Sequence, residues 1–578
     1  MGLFSIEKEP RIQSLIDKSN AMMDDYNLQI RTVFLALTLL LAIVYIFRPL
    51  LQIGKRAKDL PPGPPTLPIL GNLHQLSGVG EYGHRRFQKW AEEYGPIYSL
   101  ILGTKTYIVL NTDAAVKDLL DKRSAMYSSR PEMYMAHDIA SGGLRTVTMP
   151  YGSQWRMMHT VTHSILNIKA ATSYIPYQDL ENKFMLVNLL DRPEEFETHI
   201  KLFTHALTTQ IIFGFRFTSV EDPKFQQLYQ GFKKWTMLVG SASAQLLDLY
   251  PLLRRLPRFL APNYEYARKL HEKEKELYRS HWLAAKERAL TGTGRPCFCN
   301  DLLKAQEREK FDDDQAAYIS GSLLEAGFDT TASTLQGFIL AMMMFPEVQK
   351  KAQRELDEVV GSDRLPTMDD LPELPYVHAC AKESLRWMPT TVFAAPHATT
   401  VDDHYMGYRI PAGASVIPNV WYITQDPKRT PHPRAFDPTR HLNNLESEFE
   451  SAKSSDVGKR HNFVFGAGRR LCQGMHIAER SLFLGVSRML WGFDFSLPLD
   501  ENGQPITIPD IDDLRGGAAI TPAPFEAVIK PRAKERADLM RREWADAEAK
   551  FLDPQTKEWK HVPDGMVFST YVPQHVDV

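Results

Sequence analysis

The sequence predicts a mainly α-helical protein with a small β subdomain, preceded by a single N-terminal transmembrane helix. Most of the chain after residue 110 follows a helical pattern, with helices expected over 114–122, 264–288, 314–344, 346–360 and 476–491. Two β-like runs, 97–102 and 107–110, flank a Gly-Thr-Lys-Thr turn, as the strands of a hairpin would. An apolar run without charges precedes both patterns.

The apolar run lies between Arg31 and Arg48 and has sixteen residues without a charge. With the low-charge residues that follow, the segment 32–54 approaches the roughly 20 apolar residues that a transmembrane helix needs. A buried core helix is the alternative, but no polar face interrupts the run. A basic cluster follows it and should stay cytosolic, formed by Arg48, Lys55, Arg56 and Lys58.

Composition shifts divide the rest of the chain. Residues 1–31 form an N-terminal segment of mixed charge, and 55–70 is basic and then proline-rich, which predicts a stiff hinge. No Gly-, Ser- or Pro-rich break and no repeat occurs over about 81–532, so one large domain is expected over 71–532. Residues 533–578 carry alternating charges and predict a peripheral helix followed by an irregular tail.

The overall composition excludes several classes of protein. Hydrophobic residues make up 43% and charged residues 24% of the chain, which is typical of a globular protein. The 68 Lys and Arg nearly balance the 70 Asp and Glu, which argues against nucleic acid as a partner. Four cysteines are too few for a disulfide framework in a chain of this length and fit a reducing compartment.

The strongest site signal is the glycine-rich loop F-V-F-G-A-G-R-R-L-C-Q-G at 463–474. A helix is expected directly after it, so Cys472 would lie at a helix N-terminus, where the dipole and free N–H groups stabilise a thiolate. Such a thiolate is a good axial ligand for haem iron. The alternative for a lone cysteine is an inert buried side chain.

The pattern F-x-x-G-x-R-x-C-x-G in this loop resembles the signature of the cytochrome P-450 family of haem-thiolate monooxygenases. The resemblance spans about residues 60–530 and implies the cytochrome P-450 fold with haem b. It implies that Cys472 ligates the iron, that Arg470 meets a haem propionate and that Phe465 packs beneath the ring. The matched glycines, Gly468 and Gly474, belong to the same cofactor-binding loop.

Residues 383–386, Glu-Ser-Leu-Arg, match the E-x-x-R motif of the family. Two side chains at i and i+3 share a helix face and can pair, although such pairs are common on any surface. The resemblance implies that Glu383 and Arg386 form a structural triad with Arg440, which supports the haem side of the core without acting in catalysis.

Residues 326–331 interrupt the long apolar helix and match the A/G-G-x-D/E-T-T/S motif of the family. Glycine, aspartate and threonine are unfavourable in a buried helix, and such exceptions are typical of functional sites. The resemblance implies that Asp329 and Thr330 are catalytic and relay protons on the distal side of the haem. The alternative is that Thr330 bonds back to its own helix and Asp329 to solvent.

Three more residues are expected near the haem propionates by resemblance. Trp155 begins a W-x-x-x-R-like motif in which His159 stands where arginine is usual, with Arg156 as an alternative. His397 follows the E-x-x-R helix, where the family often has an Arg or His that contacts a propionate. For each, the alternative is a lightly buried polar residue. The expected apolar substrate pocket contains Phe328, Val392 and Phe393.

The resemblance implies a monooxygenase that inserts one atom of O2 into a hydrophobic small molecule and reduces the other to water. No G-x-G-x-x-G fingerprint occurs, so electrons from NADPH would come through a separate flavoprotein reductase. The candidate docking residues for that reductase are Lys459, Arg460 and Arg469.

The motifs, the long N-terminus and the charged tail look most like fungal microsomal members that act in secondary metabolism. That likeness implies a place at the endoplasmic reticulum membrane, in contact with lipid and with a cytosolic catalytic domain. Two alternatives remain: a haem-thiolate isomerase or dehydratase that does not use O2, and a non-catalytic membrane haem protein.

Overall fold

The computed structural model describes residues 9–76, 83–261, 263–444, 446–516 and 519–561 of the chain. This part contains ten short strands: β1 (Ile97–Leu102), β2 (Lys105–Leu110), β3 (His397–Ala398), β4 (Asp403–Tyr405), β5 (Tyr408–Ile410), β6 (Ser415–Pro418), β7 (Phe493–Ser496), β8 (Leu514–Gly516), β9 (Ile520–Pro522) and β10 (Val528–Pro531).

The same part contains twenty α-helices. The first ten are α1 (Glu9–Gln52), α2 (Leu73–Leu76), α3 (Gly83–Tyr94), α4 (Asp113–Val116), α5 (Ser124–Tyr127), α6 (Ser153–Leu166), α7 (Ile168–Ser173), α8 (Ile175–Asp191), α9 (Phe196–Phe213) and α10 (Pro223–Gly240). The others are α11 (Ala242–Leu249), α12 (Tyr264–Leu290), α13 (Phe298–Glu309), α14 (Asp313–Met344), α15 (Pro346–Val359), α16 (Pro375–Trp387), α17 (Val420–Gln425), α18 (Glu448–Lys453), α19 (Met475–Gly492) and α20 (Lys534–Phe551).

The predicted mainly helical fold with a small β component is confirmed. The largest sheet has the order β1-β2-β6-β3, with β1 and β2 antiparallel and β6 parallel to β2. The predicted hairpin is present, and its second strand begins earlier than expected, at Lys105, because Gly103 and Thr104 alone form the turn. A two-residue turn of this kind suits a glycine, and Gly103 has a φ of +57°.

The long helix α14 runs through the centre of the molecule, as its apolar sequence predicts. The Asp312 side chain caps it by accepting a hydrogen bond from the Gln315 amide, and the helix ends just before Pro346. It packs against α9, α12, α16 and α19. Helix α14 therefore separates two large apolar clusters, one around α8, α15, α16 and α19 and one around α6, α12 and α13.

The apolar run near the N-terminus lies inside α1, which continues for 44 residues from Glu9 to Gln52. Within the described residues, no helix combines the length and the apolar character needed to span a membrane. The predicted transmembrane helix over 32–54 is therefore not found. The run forms part of a longer helix that also includes the charged residues on either side of it, Arg31 and Arg48.

The proline-rich segment that follows α1 is fastened to the sheet. The Arg56 guanidinium donates hydrogen bonds to the carbonyl oxygens of Gly63 and Pro64, both at 2.8 Å, and to Ser99 Oγ of β1 at 2.9 Å. Ser99 Oγ in turn donates to the carbonyl oxygen of Pro61 at 2.6 Å. These contacts hold the proline-rich segment against β1.

The helix predicted after residue 532 is present as α20, which packs one face on the main core and leaves the other exposed. Met540 of α20 is 1% exposed, and Trp559 beyond it is 3% exposed. The Trp559 indole N–H donates to Gln210 Oε1 of α9 at 2.6 Å. The predicted tail over 562–578 and the N-terminal residues 1–8 lie outside the described residues.

Candidate active site

A cavity of about 430 Å³ lies between α14 and the loop before α19. Helices α6 and α9 and the segment 390–391 complete its walls. Seven of the site residues predicted from the sequence line it, namely Trp155, His159, Thr330, Phe465, Arg470, Cys472 and Gly474.

Cys472 lies deep in the molecule, yet its side chain is open to the cavity. Its backbone N–H donates to the carbonyl oxygen of Phe465 at 2.8 Å, which closes the loop. Burial raises the pKa of the Cys472 thiol, and hydrogen bonds from the backbone N–H groups of Gly474 and Met475 act in the opposite direction. The sulfur is therefore presented to the cavity by the first amides of α19.

Gly468 does not line the cavity, although it belongs to the same loop. Its φ is +62°, and a Cβ there would lie 2.0 Å from the carbonyl oxygen of Leu120. Its backbone N–H donates to Asp121 Oδ1 at 2.6 Å. Glycine is required at this position because the loop passes so close to the backbone of residue 120.

Two buried guanidinium groups, those of Arg130 and Arg470, face the cavity. Arg470 donates to the carbonyl oxygens of Ser128 and Met149, at 2.9 and 2.7 Å, and its guanidinium lies 4.3 Å from the Trp155 ring centroid. Arg130 donates only to carbonyl oxygens, including that of Ala395 at 2.8 Å. No carboxylate pairs with either arginine in the part of the chain that the structure describes.

The electrostatics of these arginines favour an anion in the cavity. Burial lowers the pKa of Arg130 to about 10, and burial and Arg130 together lower that of Arg470 to about 9. Two uncompensated buried cations are costly, and a bound anion would remove that cost. Sequence reasoning missed Arg130, because its partners Arg470 and Ala395 lie hundreds of residues away in the chain.

Burial favours the neutral form of the two histidines predicted near the propionates. His397 is buried, and its Nδ1 donates to the carbonyl oxygen of Tyr127 at 2.8 Å. Burial, with Arg130 as a further cause, lowers the pKa of His397 to about 3. Burial also lowers the pKa of His159, which lines the cavity. The proposed alternative to His159, Arg156, is exposed and does not line the cavity.

The middle of α14 forms another part of the cavity wall. Thr330 lines the cavity, and its Oγ1 donates to the carbonyl oxygen of Ala326 at 3.1 Å. Gly327 allows α9 to approach, since a Cβ there would lie 2.6 Å from Thr208 Oγ1. Asp329 does not line the cavity; burial raises the pKa of its carboxyl, and Lys201 of α9 acts in the opposite direction.

Comparison with known proteins gives the family of this chain. The sequence profile described as cytochrome P450 matches residues 61–525. The chain belongs to the cytochrome P450 family. The predicted resemblance is thereby confirmed, and the predicted cytochrome P450 fold with it.

Named relatives of this cytochrome P450 are monooxygenases. It is 49% identical to cytochrome P450 monooxygenase virE of Hypocrea virens, over 92% of this chain and 95% of that protein. It is also 49% identical to cytochrome P450 monooxygenase fogE of Aspergillus ruber, over 92% and 98% of the two chains. A zebra fish cytochrome P450 solved with abiraterone aligns at a TM-score of 0.62 and 25% identity, covering 78% of this chain and 100% of that one.

The cavity of this cytochrome P450 fits a cysteine-ligated haem. Cys472 supplies a sulfur held by backbone amides, which suits an iron ligand. Arg130 and Arg470 supply two buried cations without carboxylate partners, which suit the propionate groups. Apolar lining residues such as Phe465 suit the face of the ring.

Three residues predicted for the substrate pocket lie elsewhere. Phe328 packs face to face on His205 of α9, with ring centroids 3.8 Å apart. It precedes Thr330 by two residues, which is about 200° around a helix, so the two side chains point to opposite faces. Phe393 packs on Phe87 at 4.4 Å, and Val392 packs against the core; the residues of this segment that line the cavity are Thr390 and Thr391.

The E-x-x-R motif of this cytochrome P450 forms the centre of a buried network. Arg386 donates twice to the Glu383 carboxylate, both at 2.7 Å, and Arg440 Nε lies 3.6 Å from Glu383 Oε1. His441 Nε2, which sequence reasoning missed, lies 2.8 Å from Glu383 Oε2. None of these four residues lines the cavity. The only sequence signal for the role of His441 is that it directly follows Arg440.

Proposed function

We propose that this cytochrome P450 monooxygenase oxidises a hydrophobic small molecule in fungal secondary metabolism, with electrons from NADPH delivered by a separate flavoprotein reductase. The observation that carries the proposal is that Cys472 and Thr330 line the same cavity. A haem bound there supplies the activation of O2. The chain itself supplies orientation, a water-poor pocket and a route for protons.

Each residue of the site has a role that follows from its contacts. The Cys472 sulfur would bind the iron of a haem, and the amides of Gly474 and Met475 fix the direction of that sulfur. Arg130 and Arg470 would hold the propionates of the haem by charge-assisted hydrogen bonds. Apolar side chains of α6 and α9 exclude water from the cavity, among them Leu166, Leu207 and Ile211.

The proton route ends at Thr330. Its Oγ1 is open to the cavity and is bound on its other side to the carbonyl oxygen of Ala326. Asp329 lies on the adjoining face of α14, near Lys201. The carboxyl group receives protons from the surface side of α14, and Thr330 Oγ1 is the last protein atom that a proton passes before the cavity.

The reductase is proposed to dock beside the Cys472 loop. Lys459 and Arg469 are exposed and can contact an acidic partner. Arg460 is not available for this role, because it is 5% exposed and donates to the carbonyl oxygens of Asn462 and Gly466. The earlier expectation for Arg460 is therefore wrong.

The enzyme is proposed to lie at the endoplasmic reticulum membrane with its catalytic body in the cytosol. Support comes from α1, where Phe34, Leu35 and Leu41 are each about 70% exposed, so that lipid would cover apolar surface. Membrane fractions of expressing cells test this proposal. We expect the protein in the microsomal pellet, and its recovery in the supernatant without detergent contradicts membrane association.

The decisive experiment for the proposed function is the carbon monoxide difference spectrum of the dithionite-reduced protein. We expect a strongly red-shifted Soret band for the wild type and for Cys380→Ala, whose buried sulfur is remote from the cavity. The band should be absent in Cys472→Ala. A normal band in Cys472→Ala refutes the assignment, and a normal wild-type band without O2 consumption favours an isomerase or dehydratase.

A further inference from the structure

A buried charged cluster adjoins the cavity on the side of α12 and α14. Arg145 is fully buried and donates hydrogen bonds to two carboxylates, those of Glu274 and Glu325. The Tyr278 hydroxyl donates to Glu325 as well. Arg145 Nε also donates to Ser141 Oγ at 3.0 Å. The Arg145 guanidinium makes a cation–π contact with Trp235, 4.0 Å from the ring centroid.

The two carboxylates of this cluster face different surroundings. Glu274 does not line the cavity, and its Oε1 is buried without a hydrogen-bond partner among the described residues. Glu325 lines the cavity and is 6% exposed. Both donors to Glu325, Arg145 and Tyr278, bind its Oε1, and no described residue donates to its Oε2.

The charge of the cluster decides what Glu325 can bind. Burial raises the pKa of Glu274 to about 8, although Arg145 opposes this shift. Arg145 donates to both carboxylates and already supplies Glu325 with a buried cationic partner. A cationic ligand would add a second buried positive charge beside Arg145, whereas a neutral hydroxyl can donate to Oε2 without that cost.

We propose that Glu325 Oε2 accepts a hydrogen bond from a neutral hydroxyl group of the substrate and so determines which end of the substrate faces Cys472. This inference rests on the proposed function of the cavity. Glu325 precedes Thr330 by five residues, so the two lie about 7.5 Å apart along the axis of α14. Arg145 is a positioning residue, because it fixes the carboxylate of Glu325 without lining the cavity.

Glu325 is the only carboxylate among the described residues that line the cavity, where the other acceptors, such as the hydroxyl groups of Ser322 and Thr330, are neutral. The lining residues next to Glu325 include Leu323 and Val147, and the more distant α9 wall is mainly apolar. A ligand that fills the cavity without a donor leaves Oε2 desolvated and unpaired. A missing hydrogen bond to a charged group should reduce binding by about 10- to 100-fold.

The test compares two isosteric ligands, 1-nonanol and methyl octyl ether, on the haem-loaded protein. Dissociation constants are measured by calorimetry and by the shift of the Soret band. We expect the wild type to bind the alcohol about 10- to 100-fold more tightly than the ether. An alcohol that binds no more tightly than the ether overturns the proposal.

Two variants of Glu325 and one control variant show which residue causes the preference for the alcohol. Glu325→Leu should bring the ratio of the two dissociation constants close to one, and Glu325→Gln, which keeps the shape of the side chain, should give an intermediate ratio. Glu274→Gln is the matched control, because Glu274 binds the same Arg145 but does not line the cavity, and it should keep the wild-type ratio.

The outcomes separate this proposal from the function on which it rests. A ratio lost equally in Glu274→Gln and Glu325→Leu attributes the effect to the cluster as a whole and overturns the role of Oε2. The carbon monoxide spectrum of each variant is recorded first. An absent wild-type band would refute the proposed function, whereas a normal band with a ratio near one refutes only the role of Glu325.

Discussion

At the scale of single residues, neighbours in the sequence have different surroundings in the structure. Thr330 faces the cavity and Asp329 does not, because successive residues of a helix are rotated by about 100°. The Thr330 hydroxyl donates to the carbonyl oxygen of Ala326, which is one of the two alternatives predicted from the sequence. The same hydroxyl is also open to the cavity. The two readings of Thr330 are therefore compatible.

The role of Thr330 as the last proton carrier predicts a specific defect. Thr330→Ala should keep its haem and its Soret spectrum, because Thr330 does not contact Cys472. Product formation per NADPH should fall by about 10²-fold, with hydrogen peroxide released instead, because loss of a general acid costs that much. Oxidation of NADPH, peroxide and product are measured in one reaction.

Ser333→Ala is the control for Thr330→Ala. Ser333 lies on the same helix, its hydroxyl is buried without a partner among the described residues, and it does not line the cavity. We expect wild-type coupling from this variant. Equal peroxide release from Thr330→Ala and wild type would remove Thr330 from the proton route.

At the scale of elements, the stability of the E-x-x-R helix α16 depends on one buried carboxylate, that of Glu383. Burial alone would raise the pKa of Glu383, but the adjacent Arg386 outweighs it and holds the pKa at about 2. The folded-state pKa is below the ordinary value of 4.5, so the contribution of Glu383 is fully present above pH 4.5. It is lost as the pH falls towards 2.

Glu383→Gln should therefore destabilise the protein by about 3–5 kcal/mol at pH 7, because it leaves Arg386 buried without its counter-charge. The free energy of unfolding is measured in urea at pH 7 and at several acidic values. The difference between the wild type and Glu383→Gln should shrink below pH 4.5. A difference that is constant with pH contradicts the role of the ionised carboxylate.

An exposed ion pair provides the control for Glu383. Asp191 pairs with Arg541 at 2.6 Å, and both side chains are 49% exposed. Solvent screens such a pair, so Asp191→Asn should change the free energy of unfolding by less than about 1 kcal/mol. Replacing a carboxylate by its amide should thus lower the free energy of unfolding strongly in the core and only slightly at the surface.

The elements themselves could be predicted well, and their rotation and packing could not. Periodicity and proline positions gave the ends of α12, α14 and α15 within about two residues. The structure also places Cys472 and Arg470, both from the loop motif, on the wall of one cavity. The sequence motifs placed Phe328 in the pocket, because a motif does not state which face of a helix each residue takes.

Residues that depend on distant partners were beyond the reach of the sequence. Arg130 faces the cavity through contacts with carbonyl oxygens about 265 residues further along the chain. Glu325 lies only four residues from the predicted Asp329, yet its environment is set by Arg145 and Tyr278 from two other segments. Spacing along the chain carries no record of such contacts.

At the scale of the whole molecule, the C-terminal extension closes the fold on the side of α8 and α9. Glu558 pairs with Arg295 at 2.8 Å, and it also accepts a hydrogen bond from the Arg216 backbone N–H at 3.1 Å. Trp559, the next residue, packs into the core, where its ring lies 5.2 Å from that of Tyr177. The extension thus contacts three separate segments of the chain, those of Tyr177, Arg216 and Arg295.

This arrangement predicts that Trp559→Ala destabilises the whole molecule. Removing a nearly fully buried tryptophan costs about 3–5 kcal/mol, and here it also leaves Gln210 Oε1 without its donor. Trp544→Ala is the matched control in the same extension, since Trp544 is only half-buried and packs on Phe184 at 4.8 Å. Thermal unfolding followed by circular dichroism should show the larger loss for Trp559→Ala. Equal melting temperatures for the two variants would mean that the extension is bound to the surface and that the core is complete without it.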